Sequence, residues 1–232
     1  MALHGKKYRS AKEKITPEKS YSLAESLAKV KELAFAKFDE SIDIHVNLGI
    51  DASKGEQVVR GSVMLPHGTG KKVRVIVFAK GDYAEQATKS GADFVGTDDL
   101  IEKISAGWLD FDFAVATPDL MGAVGKLAKL LGPKGLLPNK KVGTVTFDVA
   151  DIVRDLKKGR VFFKNDKNGI VHFSFGKVSF DVAKLQDNLN SFVRALVASK
   201  PPTSKGKYIR KVTVASTMGV GVPVAAEDVV RV

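Results

Sequence analysis

The segment Leu130-Leu131-Gly132-Pro133-Lys134-Gly135-Leu136-Leu137-Pro138-Asn139-Lys140-Lys141 holds the most pointed chemistry in this chain. Four glycines and prolines within seven positions forbid a continuing helix or strand. Four lysines and no acid stand from Lys129 to Lys141, so the positive charge is unneutralised. Leu136 and Leu137 imply that the loop packs on a body. A rigid cationic loop after a helix is suited to meet phosphate.

Two other constellations suit a nucleic acid. Lys37-Phe38-Asp39-Glu40 precedes an alternating apolar run. Phe38 is a core residue by default, or, flanked by charge, a platform for a sugar or base. Ser216-Thr217-Met218-Gly219 is either a turn bonded to its own backbone or a site whose hydroxyls and glycine backbone meet 2′-hydroxyls and phosphates. Composition leaves both readings of that turn open.

Signals for other chemistry are poor. His67-Gly68-Thr69-Gly70-Lys71-Lys72 lacks the first glycine and the final Ser or Thr of a phosphate loop, and a strand follows it, so a hinge is preferred. Lys80-Gly81-Asp82-Tyr83 places an acid where a dinucleotide's pyrophosphate would lie. His4, His45, His67 and His172 are scattered without metal-ligand spacing. Asp98-Asp99 reads as a helix start, and Asp110 with Asp112 as a solvated loop. No nucleophile–base set is present, and without cysteine there is no thiol catalysis, disulfide or zinc ribbon.

These segments must be positioned by two kinds of architecture. Ser22 and Glu25 make a capping-box pattern before Leu23, Leu27, Val30 and Ala34, a helical face. Ile42, Ile44, Val46 and Leu48 then alternate as a half-buried strand, followed by a strand near Val59 to Leu65. The middle differs: strands at 73–79, 93–96, 113–117 and 142–147 alternate with helices at 83–90, 98–106, 120–131 and around Ile152 to Leu156. That order implies a parallel sheet covered on both faces. From Arg160 the pattern reverts, with a hairpin expected from 161–163 and 170–175, a helix through Leu185 to Leu196 and a strand at 208–215. The first third is too small for its own core. The expected fold is α/β: a discontinuous α+β domain from 1–67 and 160–232, with a Rossmann-like three-layer α/β domain, 68–159, inserted through a double hinge. Residues 1–19 read as a basic arm that orders against the body or a partner.

Charge follows that division. The net charge of +11 argues for a polyanionic partner. Residues 68–159 carry 14 basic and 12 acidic side chains, whereas the flanks carry 23 and 14. There is no secretory signal and no run of about 18 apolar residues, so a soluble, cytoplasmic protein is expected.

Ordered motifs along nearly the whole chain resemble the bacterial form of the L-one family of large-subunit ribosomal proteins. They run from His4-Gly5-Lys6-Lys7-Tyr8 and Ala36 to Glu40 through Val59-Arg60-Gly61, Leu65 to Gly68, Gly107-Trp108 with Asp110 to Asp112, Ala116 to Asp119 and Met121-Gly122. The loop at 130–141, Phe163 to Lys167 and Thr217-Met218-Gly219 follow. The resemblance implies a terminal domain that grips a ribosomal RNA stalk near the exit site, whose motion helps deacylated tRNA leave. It also implies repression of its own operon through a mimicking messenger site. The RNA face it implies comprises Lys37, Phe38, Glu40, Ser41, Lys164, Asn165, Asp166, Lys167, His172, Thr217, Met218 and Gly219. Ser41 stands for a commoner threonine and keeps the hydroxyl. Lys134, Asn139, Lys140 and Lys141 form a secondary contact. No cofactor, metal, membrane or small-molecule substrate is expected, and no catalysis. Two competing readings are a nucleotide-dependent enzyme using the inserted domain and a nucleic-acid chaperone held by charge alone.

Overall fold

A computed structural model describes residues 5–16 and 19–230, without the side chains of Lys141 and Val230; His4 and residues 231–232 lie outside it. In chain order the elements are α1 (Lys6–Glu13), α2 (Leu23–Leu33), β1 (Ser41–Leu48), β2 (Arg60–Met64), β3 (Val75–Phe78), α3 (Asp82–Lys89), β4 (Phe94–Gly96), α4 (Asp98–Ser105) and β5 (Phe113–Ala116). They continue with α5 (Met121–Val124), α6 (Ala128–Leu131), α7 (Val149–Lys158), β6 (Arg160–Lys164), β7 (Ile170–Lys177), α8 (Val182–Ala198), β8 (Ile209–Ser216), β9 (Val222–Val224) and α9 (Ala226–Val230). The chain divides into two compact units, one from both ends (1–70 and 161–232) and one from Lys71–Arg160.

In the terminal unit the antiparallel sheet runs β7-β1-β8-β9. The alternation in β1 sends Ile42, Ile44, Val46 and Leu48 into the core, where α2 and α8 cover them. The odd-numbered residues of β1 therefore line the opposite face. Phe192 of α8 stacks on Phe173 at 4.2 Å and meets Phe163 edge-on at 5.5 Å, so truncating it to alanine would cost about 3–5 kcal/mol. The capping box forms, with Ser22 Oγ accepting from Glu25 N–H and Glu25 Oε2 accepting from Ser22 N–H, both at 3.4 Å. The basic arm is helical over α1 and anchored by Ala11 and Ile15 in the core. The tail beyond Gly221 adds edge strand β9 and inserts Val222, Val224 and Val229 into that core.

Two details of the terminal unit depart from expectation. The turn after β6 is present, but its strands do not form a hairpin: β6 pairs with β2, β7 with β1, and only Asn165 and Val171 bridge them. Asn165 is the cause, because its N–H donates to Val59 O and its Oδ1 accepts from Val59 N–H, holding this end against the chain leading into β2. The segment after β2 holds Gly68 and Gly70 at positive φ. Buried Asn188 holds it by accepting from His67 N–H at 3.0 Å and donating to Gly68 O at 2.9 Å.

The inserted unit has the parallel order β4-β3-β5. All four residues of β3 are buried, as covering on both faces requires. Ile76 and Phe78 face Leu100, Ile104 and Leu127 of the α4 side; α3 and α7 pack on the other. The expected helix at 120–131 is broken into α5, a 3-10 turn and α6, with Gly122 and Gly125 weakening it. The expected strand at 142–147 is reduced to one bridge, Ala116 to Val145, because Thr144 Oγ1 accepts from Asn139 N–H and ties the segment back as a loop.

Candidate nucleic-acid interface

The start of β1 and the end of β8 lie side by side, since Ile42 is in register with Ser216. This brings together the motifs at 37–41 and 216–219. Thr217 donates its N–H to Ser41 O at 3.0 Å, and its Oγ1 accepts from Ser41 N–H at 2.9 Å. That hydroxyl is also within donating distance of Ser41 O, at 3.3 Å. The Thr217 hydroxyl is therefore bonded to the backbone of Ser41, which is the turn reading of this motif. Ser41 Oγ accepts from Lys177 Nζ at 2.9 Å, which brings another cation to this end of the sheet.

Glu40 is only 1% exposed. Its Oε1 accepts from Phe35 N–H at 3.1 Å and Ala36 N–H at 2.8 Å, and its Oε2 from Met218 N–H at 3.0 Å. Burial pushes its pKa up, but the hydrogen-bond donors, led by Met218 N–H and then the Ser216 side chain, outweigh this and hold it below the ordinary carboxylate value. The side chain expected on the RNA face is thus buried, clamping the 34–40 loop to the turn. Above that clamp Phe38 and Met218 are 57% and 53% exposed, an unusual outlay for large apolar side chains. Lys37 is exposed beside them. Gly219 N–H donates to Ser216 O at 3.0 Å, and a Cβ at this glycine would meet Ser216 Oγ at 2.3 Å, so a side chain here would have to displace the serine hydroxyl.

The second cluster lies at the other end of β1. Asp166 Oδ1 accepts from Asn168 N–H at 2.9 Å and Ile170 N–H at 2.7 Å, bonds that lower its pKa, with that of Ile170 foremost. Asn165 is buried and occupied with backbone, so it shapes the loop, while Lys164 and Lys167 project into solvent. His172 is exposed, with Nε2 at 3.6 Å from Asp166 Oδ2. Its Nδ1 lies 2.8 Å from His45 Nδ1, because the two are cross-strand partners. The histidines are thus not all scattered, though no group of three metal-ligating side chains gathers among the described residues. One imidazole must be neutral to accept that bond. Burial, then His172, lowers the pKa of His45, with Asp43 opposing.

The open face of the sheet connects the clusters. Asp43 pairs with Ser174 and Ala215, His45 with His172 and Thr213, and Asn47 with Ile170 and Lys211. Asp43, His45, Ser174, Lys211 and Thr213 share this face and were not among the expected site residues; the alternation about His45 was legible, but not which strands flank it. The loop of the inserted unit packs Leu136 and Leu137 on its own core and exposes Lys134 and Lys140, which make no ion pair among the described residues. Asn139 is half-buried, and the side chain of Lys141 lies outside the description. Asp110 and Asp112 pair with Arg74 and Lys71, and Asp82 occupies the first turn of α3.

Residues 30–220 match the model of the "Ribosomal protein L1p/L10e family". The chain belongs to this family. It is 54% identical over 234 residues, the full length of both chains, to large ribosomal subunit protein uL1 of Desulfosudis oleivorans. It is 57% identical over 224 residues, 97% of each chain, to uL1 of Nitrosomonas europaea. With uL1 of Thermus thermophilus it shares 53% identity over 220 residues, covering 94% of this chain and 96% of that one. Family membership extends across both clusters and the cationic loop.

Proposed function

We propose that this protein is a non-catalytic structural component of the large ribosomal subunit, in the cytoplasm, whose terminal unit grips a mobile ribosomal RNA stalk near the exit site. The carrying observation is the pair of exposed apolar side chains, Phe38 and Met218, set by a buried carboxylate on a sheet end flanked by lysines. Exposed aromatic surface beside cations suits a base or sugar drawn out of a helix, and the lysines supply phosphate contacts. Ser41, Asn165, Asp166, Thr217 and Gly219 hold the backbone in place, while Lys37, Lys164, Lys167 and His172 face the RNA. Lys134, Lys140 and Lys141 make a secondary contact, with Asn139 bracing their loop.

The two units form independent domains joined by hinges near 66–70 and 158–160, so the stalk and its protein move together and help deacylated tRNA depart. The same interface binds a messenger site of similar shape in its own operon, repressing translation. Titration of the full chain with stalk RNA, operon leader and an unrelated hairpin tests this. The stalk and leader should compete for one site, and the hairpin should not displace either at physiological salt.

A further inference from the structure

Gly107-Trp108 ends α4 in a way that builds a second surface on the inserted unit. Gly107, at φ 102°, donates its N–H to Ile104 O at 2.9 Å, and Trp108 donates its backbone N–H to Lys103 O at 3.1 Å. This paired closure with a left-handed glycine folds the chain back over the helix end. It delivers the indole beside edge strand β4, where Phe94 meets it edge-on at 4.9 Å, with ring planes 81° apart. Phe94 is 41% exposed, and the two rings, Ala106 and Lys103 line a cleft of about 400 Å³. Lys103 makes no ion pair, and no acceptor meets the indole N–H, among the described residues.

We propose that this cleft takes one unstacked nucleotide of single-stranded RNA, independently of the interface on the terminal unit. An exposed ring offers a stacking face, a free indole N–H offers a donor to a base edge, and the unpaired ammonium suits the adjoining phosphate. No carboxylate lines the cleft to oppose an anion. A free nucleotide is the poorer fit, because one lysine replaces the nest of backbone N–H groups that such ligands require.

Trp108 is the sole tryptophan, so the intrinsic emission of the full chain reports on this cleft. Titration with a single-stranded oligoadenylate should quench it saturably. Phe94→Ala should weaken the midpoint by about tenfold, the scale of one lost base stack, and Lys103→Glu should weaken it by at least as much through reversal of the charge facing phosphate. Lys103→Glu alters no packing, and circular dichroism checks the fold of both. Met218→Asp should leave the midpoint unchanged. The proposal is overturned by absence of a saturable change, by midpoints equal to wild type in both cleft variants, or by a midpoint that shifts with Met218→Asp. Equal quenching by adenosine monophosphate would overturn the assignment to an RNA strand, and equal quenching by an acidic peptide the assignment to nucleic acid.

Discussion

Met218 donates its backbone N–H to Glu40 Oε2 at 3.0 Å across 178 residues of sequence. The other oxygen of the same carboxylate holds Phe35 and Ala36. One buried anion therefore fixes the loop bearing Phe38 relative to the turn bearing Met218, and neither exposed side chain has to be held by its own contacts.

Glu40→Gln tests that clamp. An amide has one oxygen, so its NH₂ must face either Met218 N–H or the pair from Phe35 and Ala36. The orphaned donors should cost about 1–3 kcal/mol of stability. Stalk affinity should also fall, although Glu40 itself is buried. Chemical denaturation and RNA titration of the same variant check both effects; an unchanged affinity would show that the clamp does not set the platform.

Thr217 separates by substitution. Thr217→Val leaves Ser41 N–H without its side-chain acceptor and should cost about 1–3 kcal/mol in the folded state, with weaker RNA binding as a consequence. Thr217→Ser keeps the hydroxyl and should restore most of both. A valine variant of wild-type stability with impaired binding would return the hydroxyl to direct contact with RNA.

The histidine pair gives a pH dependence. An unfolded histidine titrates near about 6.5, and His45 titrates lower in the fold, so between those values the unfolded chain binds the extra proton. Stability should be complete above the unfolded value and decline as pH drops through it toward the folded one. His172 and Thr213 flank the ring on neighbouring strands, Asp43 precedes it by two residues on β1, and Asp166 faces His172. His45→Asn should flatten the slope of the denaturation midpoint between about pH 7 and 5. An undiminished slope would place the titration elsewhere. Glu40 and Asp166, both depressed, act lower: their stabilisation is present above about pH 4 and is lost as pH falls through their folded values.

Domain independence gives a further expectation. Residues 1–67 joined through a short glycine linker to 160–232 should fold and keep most stalk affinity, since those segments hold 23 of the 37 basic side chains and both clusters of the proposed interface. A folded protein with no affinity, judged by circular dichroism and titration, would contradict it.

Much of this was readable in the residues because local rules governed it. The alternation of β1, the capping box of α2 and the strand–helix rhythm of the inserted unit each depend on neighbours within a few positions. The failures depended on distant partners. Val161 to Phe163 reads as half a hairpin, but a single asparagine bonded to Val59 sends it to β2. His45 and His172 looked unrelated because their contact exists only through the β1–β7 register. The resemblance put Glu40 among the RNA-face residues, and nothing local revealed the three backbone donors that meet its buried carboxylate.

The most direct measurement is the affinity of wild type and Met218→Asp for ribosomal stalk RNA and for an unrelated hairpin of equal length, at physiological salt. Met218 is exposed, so the substitution spares the core while placing a carboxylate where phosphate or base should lie. Wild type should prefer the stalk strongly, and the variant should lose about a hundredfold or more on the stalk with little change on the hairpin. Equal stalk binding by both proteins, or equal binding of both RNAs by wild type, would contradict the assignment of this surface as the RNA interface.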